Sequence, residues 1–451
     1  MPEKERLSAL LSLGYFPKEL PLVFTTLDFG RHSSEIIAAW RKANVFKTET
    51  VSYKQPGKRK KNLFGSYTYK ISDTDIEVIS KPKRGYERRN INITHPIPQA
   101  LLAYEISTHW KSISGWLSRQ TYSLDKIQIS KLFDRSIRGI NFDIHRAKNN
   151  FIEATSDWLV KTDITRFYPT IYTHSIPWAA YGKEKVKNNL SLYKGSLADR
   201  LDILIRNCNR NQTIGIPIGP ETSRVIAEII SSRIDDDFAA DTDLNNKDID
   251  RLQDDWFIGV STFEEAEDVL SKIARLYRDY GLEINGSKTS INHILKTKNL
   301  TWTSEITSFL AHKSGPLKGA RLKEFLNLSL RLQTEFENDH VINYAMSVIE
   351  GGRFGGENVE LLESFLLKAA VLSPVSMDRI CRVILNFEHD TKQISKKRLR
   401  NRFTQLAERN LEKGNLYEAI WQIYTLRGLK IAINSKKYQK SFAHITDRHF
   451  R

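Results

Sequence analysis

Cysteine and methionine are scarce: two cysteines, Cys208 and Cys381, and three methionines in 451 residues. Two thiols cannot build a disulfide scaffold or a four-cysteine zinc site, so each reads as a small buried hydrophobe in a reducing compartment. Long apolar runs are missing as well. The best candidate, Phe365 to Val375, falls short of the roughly 18 residues that span a bilayer and carries Lys368. A membrane span is therefore excluded. At the N-terminus Lys4 and Arg6 precede Leu7 to Leu13, but Glu3 and Glu5 offset their charge and no small-residue cleavage site follows. That stretch predicts a short amphipathic helix rather than a secretory signal.

Positive charge is what the chain has in excess. Lys and Arg number 69 against 53 Asp and Glu, a formal charge of +16, while 40% hydrophobic and 10% aromatic residues indicate a folded chain of two or three domains. The usual partner of such a cationic surface is nucleic acid, plain solubility being the alternative. The excess is uneven. Lys47 to Arg89 holds 12 Lys/Arg against 5 Asp/Glu, and Thr391 to Arg451 holds 15 against 4, so the middle of the chain is close to neutral.

In the first basic stretch, Ser66 to Ile71 and Arg89 to Ile93 alternate as strands do, which predicts a basic β hairpin closed by Pro96 and Pro98. A helix follows over Ala100 to Trp110. From about 163 to 288, short strands alternate with helices. After Gly315 helical spacing dominates: Leu322 to Phe336, His340 to Ile349, Val359 to Leu372, Ser376 to Phe387, Lys397 to Leu411 and Tyr417 to Ile433. Glycine pairs at 351–352 and 355–356, with Pro374 and Gly414, supply the breaks.

The neutral middle carries a set of carboxylates. Trp158-Leu159-Val160 runs into Lys161-Thr162-Asp163, a strand delivering an aspartate at its end, with Pro169 stiffening the turn beyond. Further on, Asp254-Asp255 sits at a tight turn ahead of the apolar run Trp256 to Val260. Adjacent acids among apolar residues repel each other and are costly to desolvate, and a divalent cation offsets both costs. Three carboxylates on two neighbouring strands suit two metal ions roughly 3.5–4 Å apart. Asp254-Asp255 alone reads equally well as a solvated turn. A third acidic run, Asp235-Asp236-Asp237, reads as the solvated exit of an amphipathic helix with the stripe Val225, Ile226, Ile229, Ile230 and Ile234. The Gly/Pro loop Gly215 to Ser223 opens that helix, and Gly219 leaves room for a base pair or sugar to approach the backbone. Downstream, Gly281-Leu282-Glu283-Ile284-Asn285-Gly286-Ser287-Lys288 places a lysine after a Gly-rich turn; Lys288 alone reads as a surface lysine.

Taken in order, these segments resemble the palm of a reverse transcriptase. More narrowly, Asp163 to Ala179 (Asp-Ile-Thr-Arg-Phe-Tyr-Pro-Thr-Ile-Tyr-Thr-His-Ser-Ile-Pro-Trp-Ala) and Gly215 to Ser223 resemble the bacterial abortive-infection and defence-associated reverse transcriptases. Gly14-Tyr15-Phe16-Pro17-Lys18-Glu19-Leu20-Pro21 is similar to that group's N-terminal segment, so the likeness runs over roughly residues 10 to 315. Two positions depart from the wider pattern: Leu252 stands where an aromatic is usual, and Ile218 where many reverse transcriptases have a glutamine.

The resemblance implies an α+β, right-hand polymerase: an N-terminal helical segment (1–45), fingers (46–160), a palm (161–315) and a basic, all-helical C-terminal domain (316–451). It implies that Asp163, Asp254 and Asp255, with the Ile164 carbonyl, bind two Mg²⁺ ions, Mn²⁺ being an alternative. Tyr168 would gate against the ribose 2′-hydroxyl, its plainer reading being a core tyrosine. Arg89 would reach the triphosphate, with Arg88 as its competitor. Gly219 would shape the nucleotide floor, Lys288 would sit near pyrophosphate, and His174 would start or pack a helix. The expected activity is RNA-directed DNA synthesis from dNTPs in antiphage defence, in the bacterial cytoplasm, with a dedicated non-coding RNA as partner and template. Alternatives are untemplated, protein-primed synthesis, a metal nuclease, and a non-catalytic RNA-binding scaffold. Lys396, Lys397, Arg398, Arg400 and Arg402 form the candidate RNA-binding run, a solvated helix face being its plainer reading, and the apolar surface around Trp421 is the candidate face for a homo-oligomer.

Overall fold

The structure, a computed structural model, describes residues 1–52, 65–83, 85–296, 301–311, 317–337, 339–352 and 358–433. Its strands are β1 (Lys47–Thr50), β2 (Tyr67–Lys70), β3 (Glu77–Pro82), β4 (Arg88–Ile93), β5 (Trp158–Thr162), β6 (Ile249–Leu252), β7 (Asp255–Val260) and β8 (Ser290–His293). The chain divides into two compact units, one of residues 1–18, 25–77 and 92–297, the other of 19–24, 78–91 and 298–451.

The first unit is built on a sheet of order β6-β7-β5-β8, antiparallel throughout. Its central strand β5 buries Leu159 and Val160 in succession, as a strand covered on both faces must. The helix Phe263–Asp279 packs against β5, β7 and β8. A reciprocal cap starts it, in which Thr262 accepts from the Glu265 amide while the Glu265 carboxylate accepts from the Thr262 amide. The helix Phe142–Thr155 lies over β6 and β7, so close at Gly259 that any side chain there would strike Ile152 and Ser156. The helix Glu221–Ala239 buries the whole stripe Val225, Ile226, Ile229, Ile230 and Ile234.

Strand positions in the first basic stretch match their alternation, but the pairing does not. The segment at 66–71 does not form a hairpin with 89–93: β2 pairs antiparallel with β1, with Lys47 opposite Lys70, and β4 neighbours β3. Alternation marks which face of a strand is buried and is silent about which strand lies beside it. Strand β3 escaped notice because Glu-Val-Ile-Ser-Lys-Pro mixes charge and proline with its buried Ile79.

In the second unit, the described residues from 301 onward form helices and no strand: Thr301–Ala311, Gly319–Glu335, Val341–Glu350, Val359–Leu372, Met377–Thr391, Lys396–Glu412 and Leu416–Gly428. The last six match the expected ones within a few residues. Gly414, with φ of 72°, makes the left-handed step between the final pair. Phe325, Met346, Ile380, Phe387 and Phe403 are buried in this unit. So is Trp421, whose indole N–H donates to the Glu19 carbonyl at 2.9 Å. Trp421 is thus a core residue, and the assembly face expected around it is not exposed there. No described helix is long and apolar enough to cross a membrane.

Candidate catalytic site

Strand β5 ends at Thr162, paired with Trp256, so Asp163 emerges beside the turn that links β6 to β7. That turn is two residues long, because Leu252 pairs with Asp255 and only Gln253 and Asp254 lie between. On the other side the Asp163 carbonyl accepts from the Asn285 amide at 2.7 Å and the Thr165 amide donates to the Glu283 carbonyl at 2.8 Å. Ile164 and Ile284 therefore form a non-hydrogen-bonded pair, which leaves the Ile164 carbonyl unused by that pairing. The Glu283-Ile284-Asn285 motif is in this way built into the edge of the site.

The structure brings Asp163 and Asp254 into side-chain contact. Burial first, then the contact with Asp163 and the charge of Asp255, push the Asp254 carboxyl well above the usual carboxylate range. Asp163 is itself buried and accepts from the Lys288 ammonium, so Lys288 is not merely a surface lysine. Asp255, the first residue of β7, is exposed. Among the described residues no group of three or more His, Cys, Asp or Glu side chains has the geometry to hold a metal ion. The donor set nonetheless suits a hard divalent cation. Two carboxylates are pressed together with a third next in sequence, and such a cation would offset both their burial and their mutual repulsion.

Tyr168 lies in the helical turn Phe167–Thr170 and is half-buried. Burial pushes its phenol up; Arg224 opposes, while Asp254, Glu221 and Glu228 add to the shift, which places the ring within the field of the acidic turn. Gly219 is explained differently from the expectation. Its φ is +131°, and a side chain there would strike the ring of Pro17, so the space beside it is filled by this chain's own N-terminal segment. The same segment reaches further along the loop, where the Gly14 carbonyl accepts from the Glu221 amide at 2.7 Å. Ile218 is tied by main chain: its carbonyl accepts from the Asn92 amide at 2.7 Å and its amide donates to the Asn92 side chain at 2.9 Å. His174 precedes the helix Ser175–Tyr181 without capping it by its side chain, which bonds Asp202 at 2.6 Å, in line with the helix-start or packing role expected of it.

Arg88 and Arg89, adjacent on β4, fall in the second unit. Arg88 is engaged there, forking onto Glu418 at 2.9 and 2.7 Å and onto Ser80, which removes it as a competitor for phosphate. Arg89 is exposed and makes no ion pair among the described residues. Of the basic run on the helix Lys396–Glu412, Arg398 pairs with Glu363 at 3.0 Å and Lys396 with Glu388 at 3.3 Å. Lys397, Arg400 and Arg402 are exposed with no ion pair among the described residues.

The acidic triplet departs most from expectation. It falls in the last turns of the helix Glu221–Ala239, as expected, but Asp235 is fully buried against Arg251 instead of solvated. Reading it as a solvated exit failed because its partner is 16 residues away on another element. Arg251 and Asp250, adjacent charges in the short strand β6 and both buried, were also missed; two charged residues side by side in an otherwise apolar strand were the available signal. Asp250 bonds His145 at 2.8 Å, and the other imidazole nitrogen meets Asp125 at 2.9 Å.

No protein-family model matches the chain, and no curated protein matches it. Similar solved structures include apo telomerase from Candida tropicalis, at 12% identity and a TM-score of 0.36, covering 93% of this chain and 71% of that one. Another is telomerase from Candida albicans in complex with a TWJ fragment of telomeric RNA, at 11% identity and a TM-score of 0.32, covering 93% of this chain and 67% of that one. Neither likeness is close enough to assign an activity.

Proposed function

We propose that the chain is a nucleotidyl-transferring polymerase that makes DNA from dNTPs on an RNA template. The observation that carries this reading is the meeting of Asp163, at the end of the central strand, with Asp254 in a two-residue turn between neighbouring strands. Strand ends and tight turns fix carboxylates on a rigid sheet, which is what a site handling a triphosphate requires.

Asp163, Asp254 and Asp255, with the Ile164 carbonyl, would hold two Mg²⁺ ions, or Mn²⁺. When bound, such ions activate an attacking hydroxyl and stabilise a leaving pyrophosphate. The remaining work falls to the chain. Lys288 donates to Asp163, and its flexible stem lets the ammonium turn toward a pyrophosphate. Tyr168 presents an aromatic wall that excludes a ribose 2′-hydroxyl. Arg89, exposed and without an ion pair among the described residues, offers a guanidinium for phosphate oxygens. Gly219 keeps the loop backbone in a conformation other residues resist, with Pro17 behind it. Lys397, Arg400 and Arg402 offer exposed charge for a bound RNA, in keeping with an antiphage role that depends on a dedicated non-coding RNA.

A labelled primer on an RNA template, incubated with dNTPs and Mg²⁺, tests the reading. Templated extension that is lost on Asp254→Ala with Asp255→Ala supports it. Extension that ignores the template indicates untemplated synthesis, and shortening without extension indicates a nuclease and defeats the proposal. Phage challenge of cells carrying the same double variant tests the defence role, which fails if protection is intact.

A further inference from the structure

Arg251 is fully buried on β6, three residues ahead of Asp254, and every nitrogen of its guanidinium is committed. Nε donates to Asp235 Oδ1 at 2.6 Å, and Nη2 to Asp235 Oδ2 at 2.8 Å and to Glu228 Oε1 at 2.7 Å. Nη1 donates to the main-chain carbonyl of Gln253 at 2.6 Å. Asp235 is fixed in turn, accepting from the amides of Thr121 and Tyr122 at 3.2 and 3.4 Å.

Gln253 has a φ of 59°, in the left-handed region that glycine and asparagine enter at less cost. A two-residue hairpin turn needs a positive φ, and here a glutamine supplies it. The turn also carries Asp254 toward Asp163, against their mutual repulsion. Both costs need a compensating contact, and Arg251 supplies one by donating to the Gln253 carbonyl.

We infer that Arg251 is a positioning residue: clamped by Glu228 and Asp235, it holds the Gln253 carbonyl and so sets the Asp254 carboxylate against Asp163. Apolar packing would hold β6 at lower cost in desolvation, so the buried ion cluster is explained by geometry rather than by stability. A lysine cannot replace it, since one ammonium cannot reach two carboxylates and a carbonyl in a planar fork. The far face of the same strand is secured separately, through Asp250 on His145. The inference deepens the proposed function, because it takes the carboxylates to be the groups that the turn presents.

The test compares the full-length wild type with Arg251→Lys and Asp235→Asn, first confirming folding by circular dichroism and thermal melting. Two readouts follow: Mn²⁺ binding by electron paramagnetic resonance, and single-turnover nucleotide addition with its dNTP dependence. A positioning role predicts a loss of about 10–100-fold in Mn²⁺ affinity or addition rate, as for other groups that orient ligands, with the dNTP KM within about twofold of wild type. Folded Arg251→Lys protein with wild-type Mn²⁺ affinity and rate overturns the inference. If Arg251→Lys does not fold, Asp235→Asn decides the matter on the same readouts. Wild type that binds Mn²⁺ but extends no primer defeats the polymerase reading alone, and the Mn²⁺ comparison still decides the role of Arg251. Wild type that binds no Mn²⁺ overturns both.

Discussion

In the first unit Arg251 and Asp235 are both fully buried, and Arg200 and Glu105 nearly so. In the second, the acids Glu363 and Glu418 are buried as deeply, but their partners Arg398 and Arg88 keep 49% and 27% of their side chains in solvent. The difference separates two uses of charge. Where both partners are buried, removing one strands the other in a medium that cannot solvate it, so the pair admits a single geometry. Where the cation reaches in from the surface, it neutralises an acid while remaining free to adjust, and apolar helix packing carries the stability. The rigid form of the pair occurs in the unit that holds the acidic turn.

The comparison can be broken at several points. Asp163→Asn should reduce nucleotide addition by on the order of 10³-fold or more while leaving the melting temperature close to wild type, because it removes charge from a site already crowded with it. Next in size is Glu105→Ala. It leaves Arg200 buried without its carboxylate and removes the acceptor of the Tyr67 and Tyr69 hydroxyls, so unfolding in urea should show a loss of about 3–5 kcal/mol. Arg398→Ala in the second unit should cost only about 1 kcal/mol by the same measurement. Equal losses in the two variants would erase the distinction between the units. Replacing Lys397, Arg400 and Arg402 together by alanine should flatten the dependence of RNA affinity on salt, by about 0.7 per charge in the log–log slope for a single strand, without changing stability. An unchanged slope would remove these residues from any RNA contact. The smallest effect concerns the thiols. Burial pushes both up, Cys381 to about 12, so neither Cys208 nor Cys381 should react with a thiol reagent at neutral pH until the chain unfolds.

Local features of the chain were legible from sequence. The C-terminal helices carry their own periodicity and glycine breaks, and the placing of Asp163 and Asp254 at a strand end and a turn follows from the residues around them. What stayed hidden depends on distant partners. Asp235 looks like any helix-surface acid until Arg251 lies beside it. Gly219 looks like room for a ligand until Pro17 occupies that room. Trp421 looks like an exposed anchor until its indole N–H donates to the Glu19 carbonyl. Each is a tertiary contact with no periodic trace, and burial in one unit inverts the meaning of a polar or aromatic residue.

The seat of Pro17 on Gly219, with Gly14 bonded to Glu221, has a consequence in time. Residues 14–17 dock against a loop made roughly 200 residues later, so the contact closes a very long stretch of chain and must form late. Until then residues 14–17 lack their partner and the loop lacks its backing. Pro17→Gly should therefore leave the loop less supported, visible as faster amide exchange at residues 216–223 even where the sheet is intact.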